Sequence, residues 1–466
     1  MPNLGGEAVG ADQQAQMMAD ELTPRCVRGS APASDQVLFR AAPQAAQEVE
    51  PAPVRGRPPC SDPAWPTVLT RIASVLTEVA DVVLGRATEA TAPAWSETRG
   101  WTTFLSGLSD TALADCERRG LHRCADDLPK MPPTLARFCS EVNQCLALIG
   151  ACHPSSERSL LPQHYSRVPG RKKAQIGAVV GLSHELMQYS ARVVDIGSGH
   201  GHLTRLLRAS LHLDAVGIER NASLARTAQE LAGPDGPRTL VADALTNMPR
   251  LRPGDFAVGL HACGDLSDEL VRIAVDGRAP LLLISCCPQK TKSAERQPLS
   301  SCGERLALRW PREVLGLANL GACYGDDVAR VRRAITARGT RFAVRVLLAQ
   351  RGIHVSLGEA SRGVGRRCFA KDFEVAAAHV CCARGLPLPS RRELDRVRAE
   401  GRIQFALVRR FSLPRAVLGR LMEMAIVLDR ACALEERGYA VRVEEIFPAA
   451  ATPRNLAIMG WPPRPS

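Results

Sequence analysis

The nine residues Val193-Val194-Asp195-Ile196-Gly197-Ser198-Gly199-His200-Gly201 constrain the fold more than any other stretch of the chain. Apolar residues run into a turn holding three glycines, and helical periodicity follows from Leu203 to Ala209. The pattern predicts a buried strand, a tight turn and a helix. Glycine tolerates positive φ and has no Cβ, so a ligand can approach the backbone closely. The helix start adds free N–H groups. The dinucleotide fingerprint is G-x-G-x-x-G. Here the third glycine comes one residue early, and Asp195 stands two residues before the first.

A second acid extends the pattern. Leu213 to Glu219 reads as a short strand ending in a carboxylate, 18 positions after Gly201. In doubly wound sheets an acid at this point accepts the ribose hydroxyls of a bound nucleotide. A carboxylate only accepts hydrogen bonds, and two hydroxyls supply two donors. The alternative for Glu219 is a solvated acid at a strand end. The D-x-G-x-G-x-G form of the first turn resembles motif I of class I S-adenosylmethionine (SAM) dependent methyltransferases.

Strand and helix signals alternate around this unit. A helix is expected from Lys173 to Tyr189, and further strands at Arg238–Asp243, Phe256–His261 and Leu281–Ser285. Such alternation predicts a parallel sheet with crossover helices. Leu413 to Glu436 reads as a helix with Gly438 as its stop. Val441–Phe447 and Asn455–Met459 then read as a closing antiparallel hairpin. The expected architecture is α/β, a Rossmann-like sheet, mostly parallel with an antiparallel last strand. It carries a helical N-terminal region and an insertion before the last helix.

Five segments follow. Residues 1–62, rich in Ala, Gln, Pro and Gly, are expected to be disordered. Residues 63–163 form a helical region, from the spacing of Val68, Ile72, Val75, Leu76 and Val79, and of Leu135, Phe138, Val142, Leu146 and Ile149. Residues 164–290 form the nucleotide-binding core. Residues 291–412 are an Arg-rich insertion with a strand expected at Phe342–Leu348, read as a lid or substrate module, with a structural spacer as the alternative. Residues 413–466 complete the core.

In open α/β sheets the ligand lies beyond the carboxyl ends of the strands. That rule gathers Asp195–Gly201, Glu219, Asp243, His261–Asp265 and Ser285–Lys290 at one edge. Asp195, Gly197, Ser198, Gly199, Gly201, Glu219, Asp243 and His261 are the candidate donor-binding residues. Asp243 would accept from an adenine amino group, or would form an Asx turn. His261 and Lys290 are the candidate catalytic groups, since a near-neutral histidine can take a substrate proton. Asp265 would orient His261 or, as favoured here, cap the next helix. Lys172, Lys173, Cys263, Cys286 and Cys287 are candidate substrate contacts. The three cysteines beside His261 raise the question of a metal. Adjacent cysteines seldom share a tetrahedral ion and no spaced ligand pairs accompany them, so none is expected and the thiols are read as shaping the pocket. A cysteine relaying the methyl group is the weaker alternative.

Composition bounds the partners. The formal net charge is +12 and the pI about 9.2, which suits an anionic partner such as RNA. Six of the 60 basic residues are lysines, and two of them, Lys172 and Lys173, open the helix before the glycine turn. Few aromatics argue against a base-stacking platform. Sixteen cysteines without a C-x-x-C pair, no signal-peptide pattern and no apolar run of membrane-spanning length point to the cytoplasm, with no membrane partner. Oligomeric state is not legible.

Taken together, Arg171-Lys172-Lys173, Asp195 to Leu203, Gly259-Leu260-His261-Ala262-Cys263-Gly264-Asp265-Leu266, Ser285-Cys286-Cys287 and Pro453 to Ile458 resemble the methyltransferase-like protein 25 group. Its relatives are also called ribosomal RNA adenine dimethylase domain-containing proteins. The His-x-Cys-Gly and Cys-Cys elements are also similar to the tRNA 2′-O-methyltransferases of the acceptor stem. The resemblance implies SAM binding through Asp195, Gly197, Gly199, Gly201 and Glu219, and RNA as the acceptor. Two departures bear on the acceptor. The Asn/Asp-Pro-Pro-Tyr motif of amino-methylating enzymes is missing after the fourth strand. Cys-Cys is followed by Pro288-Gln289-Lys290 instead of the histidine-rich continuation of the tRNA enzymes. A protein or small-molecule methyltransferase and a catalytically silent scaffold are the competing readings. An NAD-type dehydrogenase is disfavoured by the glycine spacing.

Overall fold

The computed structural model describes residues 64–87, 91–149, 170–187, 190–319, 328–355, 358–370, 372–447, 452 and 454–463. The disorder expected for 1–62 lies outside these residues. Helices α1 (Trp65–Glu78) and α2 (Pro133–Leu146) frame the N-terminal region, and α3 (Gly170–Leu186) leads into the sheet. Then follow β1 (Arg192–Ile196), α4 (His202–Leu211), β2 (Asp214–Glu219), α5 (Ala222–Ala232), β3 (Arg238–Val241), β4 (Asp255–Ala262), α6 (Asp265–Asp276) and β5 (Leu281–Ser285). A two-residue pair, β6 (Glu295–Arg296) and β7 (Trp310–Pro311), precedes three long helices. These are α7 (Val328–Gln350), α8 (Phe373–Ala383) and α9 (Arg391–Glu435), and β8 (Ala440–Glu445) and β9 (Leu456–Trp461) close the chain.

The main sheet has the order β3-β2-β1-β4-β5-β9-β8. Strands β1 to β5 pair in parallel, while β9 runs antiparallel to both β5 and β8. This is the α/β, Rossmann-like methyltransferase sheet expected from the sequence. Successive side chains of a strand face opposite sides. Val193 accordingly joins one apolar cluster and Val194 the other. Both faces of the central strands are covered, which is why those strands are continuous apolar runs. Ile176, Val179, Leu182 and Leu186 of α3 and Leu203, Leu206 and Leu207 of α4 cover one face. Leu270 and Val271 of α6, the C-terminal half of α9 and the N-terminal helices cover the other.

Val68, Ile72, Val75, Leu76 and Val79 are buried as their spacing predicts, as are Leu135, Phe138, Val142 and Ile149. They share one continuous cluster with the sheet and α9. Phe342–Leu348, expected as a strand, is helical and lies inside α7. Its alternating burial mimics a strand because aromatic and β-branched residues meet a separate small core with Phe373, Val380, Leu394 and Val397. The last helix begins at Arg391, not near Leu413. At 1.5 Å per residue its 45 residues span about 67 Å. Its first half serves the small core and its second half the sheet. Pro414 sits inside it, where the missing N–H leaves the helical ladder one bond short.

A buried ionic network fastens the segment after β5 to α9. Arg430 donates to Asp268 at 2.7 Å and to the Ser285 hydroxyl at 2.9 Å. Arg296 bridges Asp268 and Asp429, and Asp429 accepts from the backbone of Leu299 and Ser300. Among the described residues, no helix is long and apolar enough to cross a membrane.

Candidate functional site

The glycine turn leaves β1 with Gly197, Gly199 and Gly201 at φ of 79°, 57° and 66°. These are left-handed values that β-carbon residues rarely adopt. A Cβ placed on Gly199 would meet no atom within 4 Å, and one on Gly197 only Leu266 at 3.6 Å. The turn is thus an open backbone cradle. On its far side a Cβ on Gly201 would press on Ala228 at 3.2 Å, which explains the third glycine.

Two acids hold this cradle from beneath. Asp195 is buried and accepts the Thr204 hydroxyl at 2.6 Å, tying the strand to the first turn of α4. Burial pushes its pKa up to about 6, with the Thr204 bond opposing and Glu219 adding to the rise. Its carboxylate therefore faces the fold. Glu219, at the end of β2, accepts the Gly199 N–H at 2.9 Å and the Asn221 N–H at 2.8 Å. It thus stands directly beside the cradle. The Ser198 hydroxyl is buried without a hydrogen-bond partner, lodged over Gly217. Asp243 follows β3 and builds an Asx turn, accepting from Leu245 N–H at 3.0 Å. This is the alternative role foreseen for it.

The other side of the edge begins with an irregularity. The pairing of β4 with β5 shifts between Leu260 and Ala262, and His261 has φ of 63°. A bulge re-aims a side chain, and a strained non-glycine residue there marks a site worth its cost. His261 Nε2 lies 3.0 Å from Gln175 Oε1, a buried residue of α3. With the amide oxygen accepting, Nε2 carries the proton and Nδ1 holds the lone pair. Burial lowers the His261 pKa, helped by Arg454 and Lys172 and opposed by Cys287. The ring is neutral near pH 7 and can receive a proton.

Gly264 fixes what comes next. Its φ is 56°, and a Cβ there would overlap the backbone of Lys290. The loop after β4 therefore lies flat against the loop after β5. The Cys286 N–H donates to Ala262 O at 3.1 Å, and Asp265 accepts the Lys292 N–H at 2.8 Å. That corrects the expected cap: Gly264 holds the N-cap position of α6 without a side-chain bond, and Asp265 clamps the two loops instead.

This clamp brings Cys263 to Cys286 and Cys287, with the three sulfurs within 4.8 Å of one another. Cys263 and Cys286 sulfurs are 2.6 Å apart, and both donate to His261 O at 3.3 and 3.2 Å. Adjacent strand residues point to opposite faces. Here the strand ends at Ser285 and a turn from Cys287 to Lys290 follows, so both sulfurs come to one side. The neighbouring Cys263 and Cys286 thiols hold the Cys287 pKa low against burial, with the charges of Arg454 and Lys290 assisting. The partner sulfur Cys286 is pushed high by its bonds to Cys263 and Cys287.

Lys172 is exposed at the start of α3, near enough to His261 and His202 to lower the pKa of each. Lys173 is half-buried on the next position of that helix, and Lys290 is exposed beyond the thiols. Two residues escaped the motif reading. Thr204 and Gln175 are polar residues that the fold buries, and nothing in the spacing of their mixed-polarity helices singles them out. Arg454, which donates to Cys286 O at 2.9 Å, comes from the far end of the chain. The arginines of 291–412 are also less available than their number suggests. Arg398 pairs with Glu374 and Asp395, Arg351 with Glu393, and Arg409 and Arg410 with Glu117 and Asp110.

Residues 171–294 match a family model described as a methyltransferase domain. Solved structures similar to the chain include the plantazolicin methyltransferase BpumL in complex with a desmethylPZN analog and SAH. It is 11% identical, with a TM-score of 0.22 over 38% of this chain and 62% of that one. The SAM-dependent methyltransferase SibL is 16% identical, with a TM-score of 0.21 over 46% and 54%. Coclaurine N-methyltransferase bound to N-methylheliamine and SAH is 14% identical, with a TM-score of 0.23 over 46% and 62%. The chain thus spans less than two thirds of the length of these proteins, and no residue role is taken from them. The family match coincides with β1 to β5 and with the open glycine cradle beside Glu219. Residues 171–294 are thus similar to a methyltransferase domain, laid out on a Rossmann-like sheet with its glycine cradle open.

Proposed function

We propose that the protein is a SAM-dependent methyltransferase acting on RNA. The observation that carries the catalytic part is the convergence of the glycine cradle, Glu219, His261 and the three thiols on one sheet edge. The donor supplies an activated methyl group on sulfur. The chain then has to hold it, align the acceptor with reacting atoms about 3–3.5 Å apart, and exclude water. Gly197 to Gly201 and Glu219 would hold the donor. The Nδ1 of His261 would accept a proton from an acceptor that is protonated at neutral pH.

RNA is favoured by the net charge of +12 and by Lys172 at the mouth of the edge. The exposed Arg332, Arg333, Arg392, Arg396 and Arg402 add phosphate contacts that internal ion pairs would otherwise consume. The grouping with methyltransferase-like protein 25 rests on the motifs quoted above, and the missing acid-Pro-Pro-Tyr motif turns the reading away from base amino groups.

The test is transfer of labelled methyl from SAM to total RNA and to total protein, with Glu219→Ala beside the intact chain. Label in RNA, salt-sensitive and lost in the variant, is expected. Label in protein or small molecules alone would replace RNA with those acceptors. Donor binding without any turnover would favour the silent scaffold.

A further inference from the structure

We propose that Cys263, Cys286 and Cys287 form a three-thiolate site for a thiophilic divalent cation, with zinc as the reference ion. Among the described residues they are the group of metal-ligating side chains whose donor atoms converge within 4.8 Å. Zinc binds thiolates at about 2.3 Å in a tetrahedron, which places bound sulfurs about 3.8 Å apart. The three sulfurs lie within 4.8 Å of one another, so that spacing needs no movement of the loops. Cys263 and Cys286 at 2.6 Å would have to part by about 1.2 Å, a change the Cys263 side chain can make by rotation.

The donors are held by the backbone and not by chance approach. The Gly264 contact with Lys290, the Cys286–Ala262 hydrogen bond and the Asp265–Lys292 hydrogen bond fix both loops that carry them. A metal site needs this kind of support beneath its ligands. Charge is also met. Three thiolates and a divalent ion leave one negative charge, and the Arg454 and Lys290 side chains both act on this cluster. All three cysteines are half-buried, so an ion can enter yet is shielded once bound.

Three protein ligands leave the fourth tetrahedral position open, as in sites that take water or a substrate group. The site stands at the ends of β4 and β5, next to β1 and its glycine turn. An acceptor hydroxyl or thiol in that fourth position would be held on the methyl-transfer edge with its proton acidified. This use rests on the methyltransferase reading, whereas the metal site itself does not.

The full chain, reduced and stripped of metal, is dialysed against zinc and its retained metal measured by mass spectrometry. One zinc per chain is expected. Cys263→Ser, Cys286→Ser and Cys287→Ser should each weaken binding tenfold or more, while Cys382→Ser, an exposed thiol in the insertion, should not. Cobalt(II) in place of zinc should give thiolate charge-transfer and tetrahedral d–d bands that vanish in the triple variant. Far-UV spectra and SAM titration on the same samples show which variants are folded. Failure of the folded, reduced chain to retain zinc overturns the proposal. So does zinc retention unchanged in Cys263→Ser. Zinc retained without SAM binding would keep the metal site and sink the donor assignment.

Discussion

The two halves of the functional edge are built by different means. The donor half, from β1 to β2, is local: Asp195, the three glycines, Thr204 and Glu219 lie within 25 residues. The acceptor half is assembled across the chain. Gln175 comes from α3, His261 from β4, Cys263 from the loop after it, Cys286 and Cys287 from the loop after β5, and Arg454 from the segment before β9. A local motif can be read from spacing, but a cluster formed by clamped loops cannot.

The largest expected effect strikes the support of the acceptor half. Arg430→Ala would leave Asp268 without its closest cation and Ser285 without its donor, inside a buried network. Breaking such a pair from one side costs about 3–5 kcal/mol. Urea unfolding should show that loss, and a loss below 1 kcal/mol would mean the network does not hold β5 to α9.

Gly264→Ala should follow at about 3 kcal/mol, because a backbone overlap adds to the strained φ. Gly199→Ala is its counterpart in the donor half. Its φ is also left-handed, but the added Cβ has free space, so about 1 kcal/mol is expected. Equal costs at the two glycines would refute the contrast between clamp and cradle. Gly199→Ala should instead weaken SAM binding, since its methyl enters the open space where the donor is proposed to lie.

Glu219→Ala would remove the proposed acceptor of the donor's ribose hydroxyls and of the Gly199 and Asn221 N–H groups. One charged hydrogen bond contributes about 1.5–3 kcal/mol, so the loss of even one should lower SAM affinity roughly 10- to 100-fold in calorimetry. An unchanged affinity would displace the donor from the cradle.

The last effect is a pH dependence. The folded pKa of Asp195 is raised to about 6, above its ordinary value of 3.8. The folded state therefore prefers the protonated form. The associated stability is present below about pH 4 and is lost as pH rises through 6. Asp195→Asn keeps an acceptor for Thr204 and cannot ionise. Its stability relative to the parent chain should climb between pH 4 and 6 with a slope of one proton, then level off. A difference that stays constant over that range would show that Asp195 titrates normally.

Much of this molecule was legible beforehand. The runs at Val193–Ile196, Phe256–His261 and Leu281–Ser285 are strands because buried parallel strands need apolar residues on both faces. The closing hairpin was equally plain. Phe342–Leu348 misled because β-branched and aromatic residues also line a helix that faces its own core. The start of α9 was hidden because Arg391 to Arg410 carries many charges and Pro414 suggests a break. Arg391, Arg398, Arg409 and Arg410 are tied up in ion pairs, and the helix is stabilised by packing that propensity does not report.

The sequence by itself determined the sheet, the glycine cradle and the acid beside it, because each depends on residues near one another in the chain. Only the tertiary structure decided that Asp195 faces inward, that Asp265 clamps loops instead of capping, and that three cysteines meet. Those outcomes depend on which backbone segments touch. At Gly264, the lack of a Cβ lets two loops from distant strands close to contact, and the chemistry of the acceptor side follows from that approach.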